Sequence, residues 1–251
     1  MKQTLIVLLL LFKACTLPAQ STVKSIFMEF GYVNLPKDPL IETMYGSTKY
    51  RFYMDEKFIL FQTMTNPKPL MGQSFGPGLN MSYIMDRNSK VLFLCAILDT
   101  IKLRMSGDEG DIQYIEETLQ SNRKVGLTIL GKQDQEVTIL NKLATRYLAA
   151  GTFSDSAYLF IHEHLRFAKH LRQFPMCIST GKGATGLLLG RDDILHNGTT
   201  LEFRALELEL NQPRDIPSIM NEYQLVTKEE GELAIKKFMN PELEDSKNGK
   251  N

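Results

Sequence analysis

Neither sign of charge prevails in this sequence: 29 lysines and arginines stand against 29 aspartates and glutamates in 251 residues. Nucleic acid and anionic membranes both call for a basic surface, so balanced charge offers no electrostatic case for either partner. Long apolar runs are missing too. The leading one, Leu5–Phe12, is far short of the ~20 residues a spanning helix needs. Catalytic signatures are weak. Gly72-Gln73-Ser74-Phe75-Gly76 has the Gly-x-Ser-x-Gly spacing but lies in a Pro/Gly-rich loop and not at a strand-to-helix turn, and neither Cys95 nor Cys177 has a histidine beside it in sequence to activate a thiol. Ser179–Gly186 is glycine-rich but lacks the Gly-x-x-x-x-Gly-Lys-Ser/Thr spacing that cradles phosphate, and reads as a hairpin loop.

The N-terminus supplies the strongest positive signal. Lys2 forms a basic start, Leu5–Phe12 an apolar stretch, and Leu17-Pro18-Ala19-Gln20 a small-residue cleavage region. That order is a secretory leader over residues 1–20, cut near Ala19, and it predicts an exported, periplasmic or secreted protein. Cys15 follows the apolar stretch where a lipid anchor would attach, but Phe12-Lys13-Ala14 makes a poor recognition site for lipidation. An oxidising compartment permits a disulfide between Cys95 and Cys177, whereas their apolar flanks equally suit two buried thiols.

After the leader, apolar residues recur with a period near two or in short runs of strand length. Tyr50–Met54 and Phe58–Gln62 flank Asp55-Glu56-Lys57, which predicts a hairpin. Leu79–Met85 and Lys90–Leu98 flank a turn at Asp86-Arg87-Asn88. Val91–Leu98 is apolar at every position, so this strand must be covered on both faces. Val125–Leu130 and Glu136–Leu140 suggest a further hairpin around Gly131–Asp134, followed by strands at Leu143–Ala149 and Ala157–His164. Ile112–Leu119 is ambiguous between strand and helical turn, and Glu163–Phe174 allows a helix. Gly186–Ile194 and Thr199–Leu210 pair around His196-Asn197-Gly198. Within Thr199–Leu210 the inward set passes from Leu201, Phe203 and Ala205 to Leu206, Leu208 and Leu210; that change of phase predicts a β-bulge at Ala205-Leu206. Lys228–Met239 reads as a helix burying Leu233, Ile235 and Phe238. The sum is one α+β domain over residues 21–240, mainly antiparallel β. It forms a strongly curved sheet or half-open barrel with one or two covering helices, and residues 241–251 make a polar tail.

The C-terminal half resembles the GLPGLI-type secreted or envelope proteins of Bacteroidetes-like bacteria. The resemblance rests on Gly186-Leu187-Leu188-Leu189-Gly190, the Asn197-Gly198 turn, the Thr199–Leu210 strand, Ile216-Pro217 running to Glu222-Tyr223, and the earlier Thr138–Tyr147 segment. The chain departs from the family pattern at Asn141, at Ala144 or Thr145, and at Leu188. What the resemblance implies is a fold similar to the outer-membrane lipoprotein carriers (LolA and LppX), an unclosed sheet with helices on its concave side.

Three of the four histidines, His162, His164 and His170, lie close in sequence. His162 and His164 would share one strand face and could hold Zn²⁺, although exposed polar residues near a sheet edge show the same pattern. Asp192, Asp193, Glu202, Glu207 and Glu209 lack calcium-loop spacing and read as a solvated face. Twelve methionines suit an adaptable apolar cavity as well as an irregular core. The sequence calls for no cofactor. It points to a non-enzymatic binding or structural component of the envelope that holds a lipid or other apolar ligand in a concave sheet, or meets an envelope protein partner. Two alternatives stay open: a metal-dependent or hydrolytic enzyme using His162, His164 and His170, and a protein–protein interaction module.

Overall fold

A computed structural model describes residues 21–46, 48–65, 80–113, 115, 117, 128–150, 156–163, 165–181 and 184–240. Residues 1–20, where the leader and Cys15 were expected, residues 66–79, and residues 241–251 lie outside the described residues.

Thirteen strands join one open, curved sheet that does not close into a barrel. In chain order they are β1 (Ile26–Val33), β2 (Lys49–Met54), β3 (Phe58–Met64), β4 (Asn80–Asp86), β5 (Val91–Leu98), β6 (Ile101–Ser106), β7 (Thr128–Ile139), β8 (Lys142–Ala150), β9 (Ser156–His162), β10 (Cys177–Gly181), β11 (Ala184–Ile194), β12 (Thr200–Leu210) and β13 (Gln224–Leu225). The spatial order is β13-β6-β5-β4-β3-β2-β1-β12-β11-β9-β8-β7, with β10 paired to β11. Pairings are antiparallel except β13 with β6. Helices α1 (Pro39–Tyr45), α2 (Ile216–Asn221) and α3 (Lys228–Met239) and a 3-10 turn at Lys169–Gln173 complete the frame. Among the described residues no helix is long and apolar enough to cross a membrane.

Local chemistry sets the turns. Asp55 Oδ1 accepts the backbone N–H groups of Lys57 (2.7 Å) and Phe58 (2.6 Å), which closes the β2–β3 hairpin. Asp86 does the same for Asn88 after β4. Asn197 accepts Thr199 N–H at 2.9 Å beside Gly198, whose φ of +79° needs glycine, and so turns β11 into β12. Leu140 and Asn141, both at positive φ (50° and 59°), make the tight link from β7 to β8.

Strand β5 is covered on both faces, as its unbroken apolar sequence requires. Leu92 and Leu94 turn to the main core, while Phe93, Cys95 and Ile97 pack under α2 with Phe27, Tyr53, Leu60, Ile84, Ile216 and Tyr223. Ala96 and Leu98 join Leu103 beneath Ala234, Ile235 and Phe238 of α3. α2 thus sits on the outer face of β1–β6 and α3 on the core face. The chain crosses between them as β13, pairing Gln224 with Leu103 along the edge of β6. The main core gathers Ile26, Met28, Phe30, Phe52, Met54 and Leu92 with Ala144, Phe160, Leu187 and Leu189, and is closed by Leu171 and Phe174.

The bulge falls where the phase change places it: Glu29 faces Glu207 and Phe30 faces Ala205, so Leu206 is the extra residue. Leu206 is nevertheless exposed, not inward, because a bulged residue leaves the pleat. It lies over Gly31, where an added Cβ would come within 2.9 Å of Leu206 Cδ1. The expected hairpin around Gly131–Asp134 is instead one strand. β7 runs from Thr128 to Ile139 against β8, and its polar run is absorbed as a register jump between Lys132 and Glu136. Polarity there marks a bulged edge strand, not a turn. Residues 109–113 are helical, and the helix allowed over Glu163–Phe174 contracts to the 3-10 turn.

α3 spans the expected residues, but Leu233 is 55% exposed and Ala234 takes its place in the contact. Gly231, Ala234, Ile235 and Phe238 share one helical face, whereas Leu233 is two residues off it. A capping box closes the N-terminus: Thr227 accepts Glu230 N–H and Glu230 accepts Thr227 N–H. Lys228 Nζ, between Asp108 (2.8 Å) and Asp111 (2.7 Å), ties α3 to the segment after β6 and draws the Asp108 carboxyl down to about 2. Thr227→Ala should cost about 1 kcal/mol, read as a lower urea midpoint with unchanged slope.

Candidate functional site

The histidines are held apart in their roles. His162 closes β9 with Nδ1 at 2.6 Å from the Leu143 carbonyl oxygen. His170, on the 3-10 turn, sets Nε2 at 2.9 Å from the Lys24 carbonyl oxygen. His164 lies outside the described residues. Among those described, no three His, Cys, Asp or Glu side chains form a metal-holding group. Glu163 accepts from Lys132 Nζ (2.8 Å), Thr145 Oγ1 (3.2 Å) and the Tyr147 hydroxyl. Burial raises its pKa, but these three donors more than offset that and hold it ionised below its ordinary range. Its oxygens are thereby committed to tying β7 and β8 to the end of β9.

Cys95 and Cys177 are both buried, and they occupy different clusters, Cys95 under α2 and Cys177 in the main core. Burial pushes the Cys95 thiol up to about 12, against a weaker opposite pull from Arg104. Because the thiolate is the nucleophile, Cys95 in the folded protein should react with a disulfide reagent at pH 8 about a thousandfold more slowly than in urea. Stopped-flow kinetics on a variant with both Cys15→Ala and Cys177→Ala checks this.

The acidic residues of β11 and β12 are ion-paired. Asp193 accepts Arg191 Nε at 2.7 Å, Asp192 meets Arg204 at 2.5 Å, and Glu202 accepts from Arg204 (3.3 Å) and Asn34 (3.2 Å). Glu209 pairs with Arg214 at 2.7 Å. A solvated face is therefore a correct description of Glu207 alone; the rest are neutralised by arginines that the strand pattern brings alongside. Arg204 also lies 4.6 Å over the Phe160 ring.

A row of aromatic rings crosses the core face of β12 and β1–β4. Tyr32 meets Phe203 (5.1 Å), Phe203 stacks on Phe30 (5.0 Å), Phe30 meets Phe52 edge-on (6.3 Å), Phe52 stacks on Phe61 (5.0 Å), and Phe61 on Tyr83 (6.1 Å). Strand register explains the row, because Phe52 faces Phe61 and Phe61 faces Tyr83. Phe30 is fully buried, whereas Tyr32, Tyr50, Phe61, Tyr83 and Phe203 are only half-buried. At one end Tyr32, Tyr45 and Tyr50 gather, and burial first, then their mutual proximity, lifts the Tyr32 hydroxyl to about 12. Such a row offers apolar area and ring faces, with protonated hydroxyls at its tip and no nucleophile. Sequence reading missed it because alternation gives the face of each strand but not which strands are neighbours.

A cleft of about 1190 Å³ opens beside the β2–β3 turn, lined among others by Lys24, Lys57, His170, Asn211 and Arg214. Two of its three carboxylates are occupied: Asp55 holds the hairpin and accepts the Tyr53 hydroxyl at 2.7 Å, and Asp215 caps α2; the third is Glu56. The cleft draws on residues within 21–25, 55–58, 168–170 and 211–217, too dispersed to show as a motif.

No protein-family model matches the sequence, and no curated protein matches it. Among solved structures, PNGF-II superposes with a TM-score of 0.36 at 10% identity, over 82% of this chain and 31% of that one. This chain therefore spans about a third of the length of PNGF-II. An uncharacterized conserved protein from Thermus thermophilus gives a TM-score of 0.37 at 9% identity, covering 82% of this chain and 91% of that one. A LolA superfamily protein from Nitrosomonas europaea gives 0.17 at 10% identity, covering 79% and 90%. The chain thus has a weak structural similarity to a LolA superfamily protein, and no identity follows from it.

Proposed function

We propose that this protein is a non-enzymatic, exported envelope component of the GLPGLI-like kind, and that it holds an apolar ligand against its aromatic row. The leader-like N-terminus supports export, and the Gly186–Gly190 and Thr199–Leu210 segments support the family reading. The observation that carries ligand holding is the set of half-buried rings, Tyr32, Tyr50, Phe61, Tyr83 and Phe203, contiguous with the buried Phe30 and Phe52. Aromatic area left partly open is what an apolar ligand covers on binding, each ring contributing large area with little conformational freedom to lose. Carboxylates elsewhere in the sheet are bound up in ion pairs, which suits a holding role better than proton transfer.

Native mass spectrometry of the protein purified from its own envelope tests the proposal. It predicts a co-purifying apolar molecule, released on collisional activation and reduced in a Phe203→Asp variant. A ligand-free mass from freshly prepared, undenatured protein contradicts it.

A further inference from the structure

On the outer face of β1–β5 an apolar row and a polar row run side by side. Register aligns Phe27, Tyr53, Leu60 and Ile84, and two residues further along each strand it aligns Glu29, Arg51, Gln62, Ser82 and Cys95. Over the junction of the two rows lies a cavity of about 180 Å³, roofed by Arg214, Ile219 and Tyr223. Buried polar atoms demand partners, and among the described residues one that faces this space, Arg214 Nε, has none.

The polar wall is rich in donors. Arg51, 35% exposed, gives Nε to Glu29 at 2.7 Å and lines the cavity with its guanidinium. The half-buried Gln62 amide lies on the same wall. Arg214 gives Nη2 to Glu209, but its Nε is buried without a partner. Ser82 is engaged with Tyr223. Guanidinium groups only donate, so whatever fills this space must accept. Lys49, Arg51 and Arg214 stand against Glu29, Glu207 and Glu209 on this face, but the charged side chains that line the cavity itself are Arg51 and Arg214, with no carboxylate among them. The opposite wall is hydrocarbon: Phe27, Leu60, Ile84 and Ile219.

We propose that this cavity binds a small carboxylate. Its acid group lies against Arg51, Gln62 and Arg214, and its short apolar body rests on Phe27, Leu60, Ile84 and Ile219. Water, at ~30 Å³ per molecule, would need about six copies to fill the space and would leave the hydrocarbon wall wet. An occupant polar at one end and apolar at the other satisfies both walls. The site is separate from the aromatic row, which lies on the other face of the same strands.

Titration with sodium benzoate followed by NMR, with benzyl alcohol as the uncharged counterpart, tests the assignment. Benzoate should give saturable shifts in the Gln62 side-chain amide and in the Ser82 and Tyr223 backbone amides, with benzyl alcohol about tenfold weaker or more. Gln62→Leu should weaken benzoate by about tenfold, since it removes the amide that would face the acid group. No saturable shift, equal response to both compounds, or unchanged affinity in Gln62→Leu overturns the proposal and leaves a water-filled space. Should Gln62→Leu fail to fold, Ile219→Trp, which fills the cavity from α2, must abolish the shifts; their persistence overturns the proposal equally.

Discussion

Replacing Phe30 with alanine should cost about 4 kcal/mol, the range for emptying a fully buried phenylalanine site. Phe30 has no exposed surface, stacks on Phe203 at 5.0 Å and meets Phe52 at 6.3 Å. It joins β12 to β2 through the central strand, so neighbours on both sides lose contact and cannot collapse into the gap together. At roughly 2–4 °C per kcal/mol for a chain of this size, the thermal midpoint should fall by about 10 °C or more. The urea slope should stay unchanged, since the same surface is exposed on unfolding. Leu206→Ala is the control. It removes as large an aliphatic side chain, but from the bulge, and should cost less than about 1 kcal/mol. Equal losses would mean that the bulge is misplaced and that Leu206 points inward.

The second large effect belongs to Glu29, a carboxylate only 5% exposed in the central strand. Lys49 Nζ and Arg51 Nε each hold one of its oxygens at 2.7 Å. Breaking a fully buried pair costs about 3–5 kcal/mol. Here Lys49 is 47% and Arg51 35% exposed. Both cations can turn to water, so Glu29→Gln should cost about 2 kcal/mol at pH 7. The pH dependence has a definite sign. Burial raises the Glu29 pKa, but the Lys49 and Arg51 contacts prevail and hold it below its ordinary value of 4.5. Its stabilisation is therefore complete above the unfolded value and fades as pH falls through the lower folded one. Unfolding of wild type and Glu29→Gln in urea at pH 7 and pH 3 should show a gap that narrows in acid. A gap that widens in acid would contradict the ion-pair account.

Much of this fold is legible in the sequence where local chemistry and burial agree. The Asp55 turn, the Asn197-Gly198 turn, the two-faced strand Val91–Leu98 and the phase change at Ala205-Leu206 each have one physical reading, and the structure follows it. The reading went astray where a pattern was incomplete. Gly131–Asp134 is polar like a turn, but an edge strand tolerates polarity and a bulge absorbs the extra residues. Ile101–Ser106 alternates over too few residues to announce β6, and β13 is a two-residue graft onto its edge that only tertiary pairing defines. The functional groups were harder to see for the same reason. His162 and His170 are near in sequence, yet each leans on a different carbonyl. The aromatic row and the outer-face cavity bring together residues far apart in sequence, and neighbouring strands are not written in any one strand.

The central claim is that the half-buried rings receive an apolar ligand. The chain contains no tryptophan, so Phe61→Trp places a single indole in the row, between Phe52 at 5.0 Å and Tyr83 at 6.1 Å. Titrating this variant with laurate should produce a saturable blue shift of its emission, lost when Phe203→Asp is added. A spectrum unmoved up to the solubility limit of laurate, in a protein whose circular dichroism matches the parent, would contradict the claim.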